Sequence, residues 1–172
     1  MRNLNILAIF CSFLFVLGLA SCKEESTPTT PAPTDYVADD NSFTSFMSWK
    51  LEKTNMGPSP SLGMAHAGND STVVRKIYFK DGQNSVNGKY PIGTIIVKHS
   101  DNSNGTLKEY VAMVKRGNDF NKTGGNWEWF MLMPDGKIGS DNGMPMRGAG
   151  LMGGMCGSCH NAASSKDFVF SK

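Results

Sequence analysis

Five consecutive residues near the end of the chain, Cys156-Gly157-Ser158-Cys159-His160, hold two thiols and an imidazole at a chemically useful spacing. Cys-x-x-Cys-His is the attachment pattern of c-type haem. Its two thiols form thioethers to the vinyl groups of one porphyrin edge, while the adjacent histidine swings beneath the ring as an iron ligand. Cys156 and Cys159 are therefore candidate cofactor-binding residues, and His160 is the candidate metal ligand. Three plainer readings compete. A thioredoxin-like pair opens a helix after a parallel strand, and here only 12 residues follow His160. A zinc site needs further ligands, for which the chain offers His66, His99 and carboxylates. A structural disulfide would close a loop too short to remove much unfolded-state entropy.

The remaining two of the four cysteines lie near the N terminus. Arg2 precedes an apolar run from Ile6 to Leu19 that contains Phe10, Phe13 and Phe15, and Leu19-Ala20-Ser21-Cys22 closes it with small residues. Residues 1–21 read as a secretory signal. The run is shorter than the ~20 residues that span a bilayer, and polar Lys23-Glu24-Glu25 follows at once. The ending resembles the lipobox of bacterial lipoproteins, which implies that Cys22 is the lipidated first residue of the mature protein. The expected product is an exported lipoprotein, anchored to a membrane on its periplasmic or cell-surface side. An ordinary cleaved signal with an unmodified cysteine is the alternative. Cys11 falls in the removed segment. Residues 22–35 contain Pro28, Pro31, Pro33 and several threonines without apolar periodicity, and read as a solvated tether. At roughly 3.3 Å per residue the stretch from Lys23 to Asp35 reaches at most about 40 Å. The folded domain is expected at 36–172.

Those chemical residues need a frame, and the composition supplies one. Ten Phe and 11 Met among 172 residues, with 40% hydrophobic content, are enough for a core. Lys+Arg 17 against Asp+Glu 15, with no basic run, gives no footprint for nucleic acid. The spacing of Phe43, Phe46, Met47 and Leu51 behind the candidate caps Asp40, Asn41 and Ser42 predicts one short amphipathic helix flanked by Trp49. Strand-like runs follow at Val73 to Phe79, Thr94 to Lys98, Tyr110 to Val114 and Trp127 to Met133. Asp81-Gly82, Asn104-Gly105, Gly124-Gly125 and Asp135-Gly136 punctuate them, so the connections are short and antiparallel, unlike a nucleotide-binding α/β fold. Asp167 to Phe170 is a candidate last strand, and Asp141 to Gly154 a Gly/Met loop leading into the cysteines.

Small class I cytochromes carry the haem motif near the N terminus; here it lies near the C-terminal end. With Tyr90-Pro91-Ile92-Gly93-Thr94-Ile95-Ile96-Val97-Lys98 upstream, the sequence resembles the cytochrome P-460 family. Further similarity runs through Val73-Val74-Arg75-Lys76-Ile77-Tyr78, Met113-Val114-Lys115-Arg116, Asn126-Trp127-Glu128-Trp129-Phe130 and Lys166-Asp167-Phe168-Val169-Phe170. The resemblance implies an α+β, mainly β fold: an antiparallel sheet with a few short helices enclosing one c-type haem, ligated by histidine on one side and open on the other. It also implies a covalent bond from Lys98 to a porphyrin meso carbon. A solvated strand-end lysine is the plainer reading.

His99 follows Lys98, so on a strand it faces the other way. Arg75 alternates with Ile77 and Phe79, which makes it a candidate inward guanidinium near haem propionates or the distal pocket, and with Lys98 a candidate catalytic residue. His66 lies in a loop that could approach the pocket or sit at the surface. Met144, Met146, Met152 and Met155 are candidates for a thioether ligand or for gap filling. Members of the resembled family oxidise hydroxylamine, passing electrons to a redox partner, or bind nitric oxide. A carboxylate base would assist the oxidation; Gly143 to Met155 contains none, which leaves Asp135, Asp141 and Glu128. The expected function is hydroxylamine oxidation at a tethered mono-haem centre. A non-catalytic nitric-oxide-binding or electron-transfer haem protein is the alternative, and a homodimer is an open option.

Overall fold

The computed structural model describes residues 34–171. The signal segment, Cys11, Cys22 and the tether up to Pro33 lie outside the described residues. Among those described, no helix is long and apolar enough to cross a membrane.

In chain order the strands are β1 (Lys50–Met56), β2 (Val73–Phe79), β3 (Ile95–Asn102), β4 (Lys108–Lys115), β5 (Trp127–Met131), β6 (Ser140–Asp141), β7 (Met144–Pro145) and β8 (Arg147–Gly148). One α-helix, α1 (Met155–His160), follows. The main sheet has the order β1-β2-β3-β4-β5-β8 with every neighbour antiparallel, and β6 and β7 pair separately. The architecture is the expected mainly β form of the α+β class. β3 and β4 meet through Asn102 to Leu107, where the Asn104 side chain accepts from the Thr106 N–H and hydroxyl and Gly105 takes φ 70°. That tight turn sets the register Asp101↔Lys108 through Ile95↔Val114.

Each face of the sheet carries a packed cluster. On one, Tyr78, Ile95, Val97, Tyr110, Ala112, Val114 and Phe130 pack with Phe43 and Phe46. On the other, Phe79, Ile96, Met113, Trp127 and Trp129 pack with Tyr90, Phe168 and Val169. Two-sided burial explains why β3 to β5 read as nearly continuous apolar runs.

Three expectations need correction. The helix predicted from Phe43 to Leu51 is two separate 3-10 turns, Asp40–Phe43 and Phe46–Ser48, after which the chain enters β1. Asp39, one residue earlier than the candidates, caps the first turn: its carboxylate accepts from the Ser42 N–H while the Ser42 hydroxyl accepts from the Asp39 N–H. Ser45 at φ 55° then breaks the helical path. Only Phe43 and Phe46 are buried, whereas Met47 and Leu51 are about half exposed. The candidate strand at Asp167 to Phe170 is a turn, because Asp167 and Phe168 have φ 52° and 67°, which extended chain does not allow. The loop from Asp141 to Gly154 is partly ordered by the short pairings of β6 with β7 and β8 with β5.

That final turn is tied to the sheet by a buried ion pair. The Lys115 ammonium donates to both Asp167 carboxylate oxygens at 2.8 and 2.7 Å and to the Gly125 carbonyl at 2.6 Å. Asp167 also accepts from the Tyr90 N–H at 2.8 Å, and its own carbonyl accepts from the Trp127 indole at 2.7 Å. Gly125, at φ 63°, lies against Phe168 so closely that a Cβ would sit 2.5 Å from its ring. Only glycine meets both demands.

Removing one charge from this pair should be costly. Asp167→Asn keeps the left-handed turn accessible but leaves the Lys115 ammonium buried and unpaired, so a loss of about 3–5 kcal/mol is expected in urea unfolding. Adding Lys115→Met should recover part of it, and a double variant no more stable than Asp167→Asn would refute the pairing as the cause.

Candidate haem site

The six residues of α1 carry the whole Cys-x-x-Cys-His segment. Cys156, Cys159 and His160 stand at i, i+3 and i+4, which places them on one helical face. Both thiols are free, Cys159 exposed and Cys156 half-buried against the cluster around Trp129. The His160 ring lies 4.7 Å from the Trp129 ring and 5.3 Å from that of Phe170. Its Nδ1–H donates to the Phe168 carbonyl at 2.7 Å, which fixes the tautomer and leaves the Nε2 lone pair for a metal. Burial pushes the imidazole pKa down to about 4, helped by Lys98 and His66 and opposed by the Phe168 hydrogen bond. A neutral ring at physiological pH is the form that ligates iron.

Lys98 sits on the same side of the sheet. Side chains alternate along β3, so Ile96, Lys98 and Ser100 share the face that carries Phe79, Met113 and Trp129. His99 takes the opposite face, stacked on Tyr110 at 4.6 Å and 16°. Lys98 lies in a row across the sheet with Ile77, Val111 and Met131, and all four are partly exposed although β3 and β4 are central strands. Burial pushes the Lys98 amine down to about 7; Glu109 and Cys156 oppose the shift and Arg75 adds to it. An amine largely neutral near physiological pH is a nucleophile.

The next row holds Arg75, Ser100 and Glu109, paired in register across β2, β3 and β4. Arg75 is only 2% exposed. Its Nη2 donates to the Gly57 carbonyl at 2.6 Å, whereas the buried Nη1 has no partner. Glu109 accepts from the Ser100 hydroxyl at 3.2 Å and from His66 Nδ1 at 2.9 Å. The sequence reading passed over Glu109, although it shares its face with Val111 and Met113 and is the one carboxylate of β4.

The carboxylates that were considered lie elsewhere. Glu128 is on the opposite face, where Arg116 donates to it at 2.7 Å and Arg147 at 2.7 and 2.9 Å. Asp135 is exposed and accepts from the Lys137 N–H, and Asp141 is exposed beside Asn142. Met144, Met152 and Met155 are exposed; Met146 packs its sulfur near Gly139. The histidines that a zinc site would recruit are engaged apart from the cysteines, His66 with Glu109 and His99 with Tyr110.

These groups suit a flat, apolar macrocycle with an iron centre and polar edges. Two thiols and an imidazole share one helix face, central-strand side chains beside the aromatic cluster of that face stay partly uncovered, and two buried donors among the described residues, Arg75 Nη1 and Trp129 Nε1, lack partners. A native protein rarely buries a donor without a use for it. The family model for cytochrome P460 matches residues 44–171, from the residue after the first 3-10 turn to the end of the described chain. No curated protein matches the chain, and no solved structure does. The match takes in the whole sheet, Lys98 and the Cys-x-x-Cys-His segment, and the chain thus belongs to the cytochrome P460 family of haem proteins.

Proposed function

We propose that the protein is a mono-haem c-type cytochrome that oxidises hydroxylamine or a related small nitrogen compound and passes the electrons to a redox partner. When bound, the haem supplies a redox-active iron with one coordination position open to the substrate. Cys156 and Cys159 hold it by adding their S–H groups across the two vinyl double bonds, and His160 ligates through Nε2. Lys98 would be the third point of attachment, through Nζ at the porphyrin edge, a C–N bond whose formation requires loss of two protons and two electrons. The observation that carries this reading is Lys98 itself, a partly buried amine on the sheet face beside α1, acting electrostatically on both Cys156 and His160. A third covalent tether would constrain the macrocycle, and its distortion is a lever on iron reactivity.

The N-terminal reading supplies the location: a lipid on Cys22 and a tether holding the haem domain near a membrane surface on the exported side. A single acyl chain anchors only marginally, so more than one is expected. The tether's last residue docks on the domain, where Arg116 and the Gly117 N–H bind the Asp35 carboxylate. Arg116 holds that carboxyl far below the usual carboxylate range.

Peptide mapping of the purified pigment tests the function directly. A haem peptide joining the Cys156–His160 segment to the Lys98 peptide is expected, with the pigment resisting acid-acetone extraction. Lys98→Ala should restore an ordinary c-type spectrum and abolish hydroxylamine-dependent reduction of an added acceptor. Recovery of an unmodified Lys98 peptide from wild-type protein would overturn the cross-link and favour the nitric-oxide-binding reading. Mass analysis of the mature N terminus should show an acylated Cys22, and Cys22→Ala should move the protein from the membrane to the soluble fraction; an unacylated start at another residue would refute the anchor.

A further inference from the structure

Three lysines gather at the other end of the sheet from the row that holds Arg75, Ser100 and Glu109. Lys89, Lys115, Asp119, Lys122, Asn126 and Asp167 line a solvent-open cavity of about 320 Å³. Glu109 lies near the start of β4 and Lys115 ends it, which separates the cavity from that row by about 20 Å at roughly 3.4 Å per residue. The charges of the cavity are not balanced. Lys115 and Asp167 cancel as the buried pair, and Asp167 is further committed to the Tyr90 N–H. Lys89 approaches Asp167 only at 3.6 Å, with its side chain 69% exposed. Lys122 meets Asp119 at 2.9 Å, but both side chains are exposed, and a pair in water is weak. Two ammonium groups can therefore turn to an anion, against the single carboxylate of Asp119. Asn126 adds a donor, because its Oδ1 accepts from the Asn121 N–H at 3.0 Å and its amide NH2 is what it can offer.

The chain enters the folded domain beside this cavity. The Arg116 N–H donates to the Asn126 carbonyl at 2.8 Å. Arg116 and the Gly117 N–H grip the Asp35 carboxylate through three hydrogen bonds of 2.7, 2.8 and 3.0 Å. A Cβ on Gly117 would collide with the Thr34 carbonyl, so glycine is what lets the entering segment lie this close. Arg116 also donates to Glu128 at 2.7 Å, which ties the grip to β5. Residues 22–33 thus start from a fixed point next to the lysines, and a surface that holds Cys22 lies within about 40 Å of them.

We infer that this cavity is a phosphate-binding site that docks the domain on the headgroups of an anionic phospholipid membrane, with Lys89 and Lys122 as its contacts. The inference rests on the anchored reading for bringing a membrane near, while the site itself stands on its own charges. A phosphodiester oxyanion asks for ammonium and amide donors and for no apolar pocket, and the lining offers those donors. Docking at this end sets the orientation of the whole domain. The row of Arg75, Ser100 and Glu109, at the opposite end of the paired strands, then points away from the bilayer, into the water through which a small polar substrate and a redox partner arrive.

The test uses the haem-loaded full-length protein as isolated, mixed with vesicles, and reads lysine acetylation by peptide mass analysis. Vesicles containing phosphatidylglycerol should slow labelling of Lys89 and Lys122 severalfold relative to pure phosphatidylcholine. Lys108, exposed at the start of β4, should label equally in both. In Lys89→Gln the protection of Lys122 should fall about fivefold, the scale of one lysine lost from an anionic surface, and high salt should abolish the protection of both. Equal labelling in the two vesicle types, equal protection of Lys108, or undiminished protection of Lys122 in Lys89→Gln overturns the docking site. Inorganic phosphate added to phosphatidylcholine vesicles separates the sources of the anion. Protection by phosphate with none from phosphatidylglycerol overturns membrane docking and leaves a site for a soluble anion. The mass of the mature N terminus keeps the two readings apart. Protein without an acyl group on Cys22 that still shows the phosphatidylglycerol pattern sinks the anchor and leaves this site standing, whereas acylated protein with uniform labelling does the reverse.

Discussion

The buried pairing of Lys115 with Asp167 is the constraint on which the haem side of the molecule depends. Lys115 ends β4, and Asp167 begins the left-handed turn after α1, 52 residues later. The pair pins that turn to the sheet, and the next residue, Phe168, supplies the carbonyl that orients His160. Nothing within the short α1 could do this. A helix of under two turns has little stability of its own, so its position is set by what holds its ends. The tie works because it is fully satisfied: the ammonium reaches two carboxylate oxygens and a carbonyl, and the carboxylate also receives a backbone N–H. A half-satisfied buried pair would loosen the turn instead.

The sheet then divides labour between its faces. On one, aromatic rings close the surface: Phe43 against Phe130 at 5.1 Å and Phe46 edge-on to Tyr78 and Tyr110. On the other, packing is complete only at one end, around Trp127, Tyr90 and Phe79. Moving along the strands, aromatic residues give way to the Lys98 row and then to Arg75, Ser100 and Glu109. Because the strands are rigidly paired, this gradient from apolar to charged is a fixed feature of the frame. A cofactor with an apolar body and polar edges requires a frame of this kind.

Much of this was readable from the chain, for identifiable reasons. Cys156, Cys159 and His160 stand out because two thiols and an imidazole at that contiguous spacing form a recognisable pattern. That Arg75 shares a face with Ile77 and Phe79, and that His99 faces away from Lys98, follows from strand parity. β1 escaped because it is an edge strand whose residues are mostly exposed, without the apolar run that marked β2 to β5. The false helix arose from Phe43 and Phe46 being three apart, a spacing that one-turn 3-10 segments satisfy equally well. The false last strand arose from apolar residues that are buried by a left-handed turn. Glu109 was missed for a different reason: its partner His66 lies 43 residues away, and no local pattern reports such a pairing.

Glu109 and Glu128 show how strand parity and hydrogen-bond partners give two carboxylates of one sheet different surroundings. Both sit on interior strands of the same sheet. Glu128 receives three guanidinium hydrogen bonds spread over both oxygens, so its charge is spent in joining β5 to Arg116 and Arg147 and, through Arg147, to the Ala38 carbonyl. Glu109 receives two hydrogen bonds on a single oxygen, from a hydroxyl and an imidazole, and Arg75, two strands away in the same row, has one buried donor without a partner. Parity alone places Glu128 on the closed aromatic face and Glu109 on the face of α1 and Lys98. Shifting either strand by one residue would move its carboxylate to the other face. The tight turn at Asn104-Gly105, by fixing the β3–β4 register, is therefore as much a part of the site as the residues that line it.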